Sequence, residues 1–212
     1  MFASACSKYA PLVCQIGGGS ATVEGSLLGS GCLLSPTQFI TARHIVHNIP
    51  KHLTWPVVLK HDGLFRCEIS YESVEQDISI LRITDLIESV ISASPTEYPV
   101  WPTSLPSLGM EVGYVGKLHL PGSNPRMYFA RSVVSMLASN SPAHGYKCML
   151  SDAVFESGFS GSAVFTPDGQ LHGIIVEAFQ FYVDVGKQKV WHRHPVMSCL
   201  APILASIRPL VQ

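Results

Sequence analysis

The chain has 212 residues, 47% of them hydrophobic and 14% charged, which is enough apolar material for one large core or two small contiguous ones. Its 14 basic and 15 acidic residues leave a formal net charge of -1, so the electrostatic footprint of a nucleic-acid or anionic-membrane binder is excluded and protein or peptide partners are expected. No apolar stretch approaches the length needed to span a bilayer.

The first residues, Met1 to Lys8, lack the basic start and long apolar core of a secretory signal, and a cytoplasmic location is the expectation. From there on, short apolar runs broken by Gly, Pro, Asn and Asp form an all-β pattern. Strands are predicted at Leu12 to Ile16, Leu27 to Leu34, Phe65 to Tyr71 and Ile78 to Ile83, then at Glu111 to Val115, Met127 to Leu137, Lys147 to Leu150, Ala163 to Phe165 and Leu171 to Val176. A proline-rich passage, Pro95 to Pro106, separates the two groups. Helical spacing of apolar residues predicts a closing helix within Pro195 to Ile207. No internal repeat is evident.

Six cysteines, at 6, 14, 32, 67, 148 and 199, include no C-x-x-C pair and no zinc spacing, and they read as buried free thiols. His192 and His194 would share a face of a strand, but no third ligand accompanies them. No metal and no cofactor is assigned.

Three segments in fixed order carry the chemistry. Thr41-Ala42-Arg43-His44-Ile45-Val46 ends an apolar stretch on a histidine, Asp77-Ile78-Ser79-Ile80-Leu81 opens one on an aspartate, and Ser157-Gly158-Phe159-Ser160-Gly161-Ser162 frames a serine with glycines. A serine hydroxyl is a poor nucleophile near neutral pH and needs a base in reach, which in turn needs a buried acceptor to fix its tautomer. Glycines around the serine let the backbone turn sharply and aim amide hydrogens at one point, as an oxyanion requires. An α/β-hydrolase would want Gly-x-Ser-x-Gly with both partners following the serine. Residue 162 is Ser, and both candidate partners precede Ser160.

These segments resemble the blocks of the chymotrypsin-like (trypsin-like) serine peptidases, in wording similar to the bacterial HtrA/Deg-type protease domains but with no PDZ-like region. Gly29-Ser30-Gly31-Cys32-Leu33-Leu34-Ser35 followed by Phe39-Ile40-Thr41-Ala42-Arg43-His44 resembles the family's passage from strand to histidine, and the match runs from about Pro11 to about Val196. The resemblance implies an all-β fold of two six-stranded antiparallel barrels with a C-terminal helix. Residues 1–94 would form the barrel bearing His44 and Asp77, 95–108 the linker, and 109–212 the barrel bearing Ser160. It also implies that His44 is the general base and later the acid, Asp77 its orienter, Ser160 the nucleophile, and the amides of Gly158 and Ser160 the oxyanion hole.

Departures from the family pattern shape the rest of the reading. Phe159 stands where digestive and clotting members carry an aspartate that receives a newly cut N-terminus, and Gln15 before Ile16-Gly17-Gly18 is not a trypsin-type cut point. Activation by N-terminal cleavage is therefore not expected. Val154 aligns with the floor of the primary pocket and Ala178 with its wall, which favours a medium apolar residue before the scissile bond. Glu156 and Glu177 lie close by, and either would favour a basic residue instead. The function expected is a serine endopeptidase acting on proteins. The alternatives are a catalytically silent scaffold or peptide-binding module, and a peptidase module switched on by an activating protein partner.

Overall fold

The protein is described from a computed structural model, which covers residues 2–20, 23–53, 55–60, 63–89, 95, 97–118, 126–141, 145–151, 158–185 and 188–211. Six antiparallel strands close a first barrel: β1 (Val13–Ser20), β2 (Val23–Ser35), β3 (Gln38–Ala42), β4 (Trp55–Lys60), β5 (Gly63–Ser73) and β6 (Ile78–Ser89), in the order β1-β2-β3-β6-β5-β4. Six more close a second: β7 (Glu111–Leu118), β8 (Arg126–Ser141), β9 (Gly145–Ser151), β10 (Ala163–Phe165), β11 (Leu171–Val185) and β12 (Gln188–Cys199), in the order β10-β11-β12-β9-β8-β7. Closure leaves neither barrel with a free edge. The all-β, two-barrel expectation holds.

All five residues of β3 are buried, so the strand does not alternate. One of its faces packs in the first barrel's core, and the other meets the second barrel, where Thr41 lies beside Gly161. The apolar cluster that contains Phe39, Ile40 and Ile80 runs on into Val115, Phe165 and Ile174 of the second barrel. The barrels thus share one continuous core, and a separate cluster around Tyr114, Phe159, Ile175 and Met197 fills the interior of the second.

Among the described residues, three α-helices accompany the barrels. α1 (Phe2–Tyr9) has no counterpart in the sequence-based expectation; it is anchored by Tyr9, fully buried, stacked on Phe165 at 4.5 Å, and donating from its hydroxyl to the Gly169 carbonyl at 2.7 Å. α2 (Arg43–His47) is a single turn after β3. α3 (Leu204–Val211) is the closing helix, and it begins later than expected. Pro195–Cys199 is instead the end of β12, because its backbone is paired with Ala178–Gly173 of β11 while Val196, Met197 and Ser198 also pair with Lys147–Met149 of β9. Period and pairing compete over such a segment, and the sheet partners decide.

β11 also buries His172, whose Nδ1 has no hydrogen-bond partner among the described residues. Burial holds this imidazole below its ordinary value of 6.5, with the Asp168 charge opposing the shift. Below about pH 6.5 the unfolded chain takes up a proton that the native state refuses, so native stability should fall as the pH drops, by at most about 1.4 kcal/mol per pH unit from this group. Thermal unfolding of the wild type and of His172→Leu at neutral and mildly acid pH checks this: the variant should lose less stability between the two. Equal losses would remove His172 as a source of acid sensitivity.

Candidate active site

His44 and Asp77 come from two ends of the first barrel's sheet that pairing brings together. β3 pairs with β6 in the register Ala42↔Ile78, so the residues just past Ala42 and just before Ile78 must be neighbours. The Arg43 amide donates to the Asp77 carbonyl at 2.8 Å, and the His44 amide donates to Asp77 Oδ1 at 2.9 Å. His44 Nδ1 lies 2.6 Å from Asp77 Oδ2. A carboxylate only accepts, so the proton of this bond belongs to Nδ1, and Nε2 is left with a lone pair facing away. Both side chains are partly exposed, 36% for His44 and 23% for Asp77.

Asp77 reaches this position through a left-handed backbone, φ 53°, after a turn in which its amide donates to the Val74 carbonyl at 3.1 Å. Aspartate is one of the few residues with a side chain that enter this region readily. The preceding residue, Gln76, is buried, and its Oε1 accepts from Ser198 Oγ at 2.8 Å and from the Tyr146 amide at 3.2 Å. The turn that carries Asp77 is therefore tied to two strands of the second barrel. Glu72 braces α2 from below, 2.7 Å from His47 Nε2 and 3.7 Å from Arg43 Nε, with Ser79 donating to it at 2.9 Å. His47, the neighbouring histidine, is thereby engaged by Glu72 and not by Asp77. Of the other carboxylates near the motif, Asp85 faces Arg66 at the exposed end of β6, and Glu75 accepts from Ser73 at 3.4 Å.

Ser160 lies in the second barrel, in a tight loop between residue 157 and β10. Gly158 and Gly161 both take positive φ, 95° and 82°. At Gly161 no side chain is possible, since a Cβ would run into the Ser30 carbonyl of the first barrel. The Gly161 amide donates to the Ile175 carbonyl at 2.7 Å and the Ser162 amide to the Phe159 carbonyl at 2.9 Å, which folds the loop back on itself. The Ser30 amide donates to the Ser160 carbonyl at 2.8 Å, so the serine's backbone is held against the barrel that carries His44.

Phe159 is fully buried, its ring 4.7 Å from Tyr128 and edge-on to Tyr114 at 5.9 Å. The residue before Ser160 is thus held by aromatic packing in the core of the second barrel. Ile16 is fully buried inside β1, opposite Gly29 on one side and Val58 on the other, so a cut before it would sever a barrel strand. Phe159→Ala should cost about 3 to 5 kcal/mol of stability from the emptied site. It should also release the loop, so that limited proteolysis at low temperature cuts near residue 158 in the variant first. An intact loop in the folded variant would refute the anchoring role.

Val154 and Glu156 lie outside the described residues. Ala178 is half-buried in β11 opposite Pro195, and the exposed Glu177 beside it pairs with Lys147 at 3.2 Å. His192 and His194 stack with Phe181 on the β11–β12 hairpin. Among the described residues no group of three or more His, Cys, Asp or Glu gathers as a metal site, and no helix is long and apolar enough to cross a membrane. Cys14, Cys32, Cys67, Cys148 and Cys199 are buried free thiols, and burial pushes the first three above the ordinary thiol value.

Sequence motifs alone did not single out Ser30, Gln76 or Glu72. For Ser30 the signal was present, a hydroxyl between Gly29 and Gly31; for Gln76 and Glu72 only the fold reveals the partners.

The family profile for the trypsin-like peptidase domain matches residues 29–174 of the chain. Among solved structures, the serine endoprotease from Yersinia pestis is similar with a TM-score of 0.67 and 18% identity, the match covering 100% of this chain and 66% of that one. An inactive form of Rv3671c from M. tuberculosis H37Rv matches with a TM-score of 0.62 and 19% identity over 97% and 90% of the two chains. The MamO protease domain from Magnetospirillum magneticum matches with a TM-score of 0.61 and 16% identity over 94% and 97%. At these identities the likeness is one of fold. The chain spans just under two thirds of the Yersinia endoprotease. No curated protein sequence matches it.

Proposed function

The chain belongs to the trypsin-like peptidase family, and from that premise we propose that it is a serine endopeptidase, cleaving peptide bonds in protein substrates through an acyl-enzyme on Ser160. The observation that carries the reading is the pair of hydrogen bonds between His44 and Asp77, the His44 amide to Oδ1 at 2.9 Å and Nδ1 to Oδ2 at 2.6 Å. That pairing fixes the tautomer and the orientation of the imidazole, which a structural surface histidine has no need of.

In the mechanism, His44 Nε2 takes the Ser160 hydroxyl proton as Oγ attacks the substrate carbonyl. Asp77 stays ionised and stabilises the imidazolium. The amides of Gly158 and Ser160 donate to the oxyanion, and their value lies in being aimed before charge develops. His44 then gives its proton to the leaving amine. Water repeats the sequence on the ester and frees Ser160.

An apolar residue before the scissile bond is the preference that Val154 and Ala178 support. The engagement of Glu177 by Lys147 favours it too, because a carboxylate already paired offers less to a basic substrate side chain. The test of the whole reading is a fluorophosphonate probe applied to the folded protein. Labelling at Ser160 that boiling the protein first abolishes supports it, and no labelling of the native protein overturns it.

A further inference from the structure

Ser30 lies in β2 between two glycines, fully buried, and every polar atom it has is engaged. Its amide donates to the Ser160 carbonyl at 2.8 Å, and its carbonyl accepts from Thr41 Oγ1 at 2.8 Å. The hydroxyl donates to the Gly158 carbonyl at 2.9 Å and accepts from the Lys117 amide of β7 at 2.9 Å. A hydroxyl has one proton to give, and with Lys117 on its lone pair that proton is directed at Gly158. Ser30 thus grips both ends of Gly158-Phe159-Ser160 from the opposite barrel. Through Thr41 it is joined to the strand that enters His44 three residues later.

The burial of Phe159 fixes the middle of that segment, yet a glycine at φ 95° keeps wide freedom in the peptide next to it. A bond to the Gly158 carbonyl holds the Gly158–Phe159 peptide plane and so restricts the backbone on which the Gly158 amide turns. We infer that Ser30 is a positioning residue of the active site, whose hydroxyl fixes the Gly158 backbone and so aims the oxyanion donors. The inference rests on the peptidase reading above. It places the alignment of the oxyanion loop under the control of the first barrel, so the residue that ties the Ser160 backbone to that barrel also sets the electrophilic side of the site. Because the oxyanion exists only on the way to the transition state, misaimed donors lower kcat and leave KM nearly untouched.

Ser30→Ala removes the hydroxyl bridge alone and keeps the amide and carbonyl bonds. The measurement is hydrolysis of p-nitrophenyl butyrate, well below the melting midpoint of each variant, together with the rate of fluorophosphonate labelling at Ser160. In Ser30→Ala, kcat should fall roughly 10- to 100-fold, with KM within about threefold and labelling slowed in parallel. The acid limb of the pH profile should not move, because the bonds between His44 and Asp77 are intact. Ser30→Cys, with a weaker donor in the same place, should recover part of the loss. A purely structural Ser30 would lower the melting midpoint and leave kcat at wild-type level in the folded variant, and that result overturns the inference while the peptidase reading stands. If Ser30→Ala does not fold, Ser30→Cys decides: a several-fold drop in kcat supports the role and a wild-type kcat overturns it. Wild-type protein that neither hydrolyses the ester nor takes the probe overturns the peptidase reading, and this inference with it.

Discussion

Ser160→Ala should lower kcat by about 10⁶-fold and abolish fluorophosphonate labelling, with no change in the fold. The substitution removes one half-buried hydroxyl, and the serine's structural bonds run through its carbonyl to Ser30, which alanine keeps. His44→Ala should cost nearly as much. The two together should cost little more than either, since base and nucleophile work as one unit and the residual rate comes from binding and the oxyanion donors. Steady-state ester hydrolysis on the three variants, with circular dichroism to verify the fold, measures this. Turnover by Ser160→Ala at the wild-type rate would move the nucleophile elsewhere, and additive losses would mean that His44 and Ser160 act separately.

Asp77→Asn is expected to lower kcat by about 10⁴-fold while the protein stays folded. The backbone at residue 77 needs φ 53°, and asparagine enters that region as easily as aspartate. Its carboxamide can still accept from the His44 amide, so the turn survives. What changes is the other contact. An amide NH₂ facing Nδ1 donates instead of accepting, which drives the imidazole proton to Nε2 and leaves no lone pair for Ser160. Asp77→Ala, which frees the ring without imposing the wrong tautomer, gives the comparison. A mild effect of Asp77→Asn on kcat, with the fold verified, would show that orientation of His44 by Asp77 is not needed.

The chain is most legible where chemistry and backbone geometry coincide in a few consecutive residues. Gly158-Phe159-Ser160-Gly161 can hardly be anything but a tight loop that presents a hydroxyl, and its two described glycines do take positive φ. The run of short apolar segments required an all-β fold, and the order of the histidine, aspartate and serine blocks pointed to the family whose profile the chain matches. Strand cores such as Ala163–Phe165 were placed by pattern, while strand ends were not: β11 continues nine residues past Val176 into a hairpin with β12. Those extra residues pair with Gln188–Val196 of β12 in a largely exposed hairpin, so no burial pattern marks them.

Sequence determined which residues could do chemistry, because a nucleophile, a base and an acceptor are properties of side chains and of the few neighbours that shape their loop. Tertiary structure alone decided how those residues are held. Gln76 finds Ser198 and Tyr146 on the far barrel, Tyr9 finds Phe165, and Ser30 finds Gly158 and Lys117, over separations of 122, 70, 128 and 87 residues for the hydrogen-bonded pairs Gln76–Ser198, Gln76–Tyr146, Ser30–Gly158 and Ser30–Lys117. Nothing local in the chain encodes a partner at that distance. Such bonds exist only once two barrels have closed and shared a core, since only burial makes a polar group's partner obligatory.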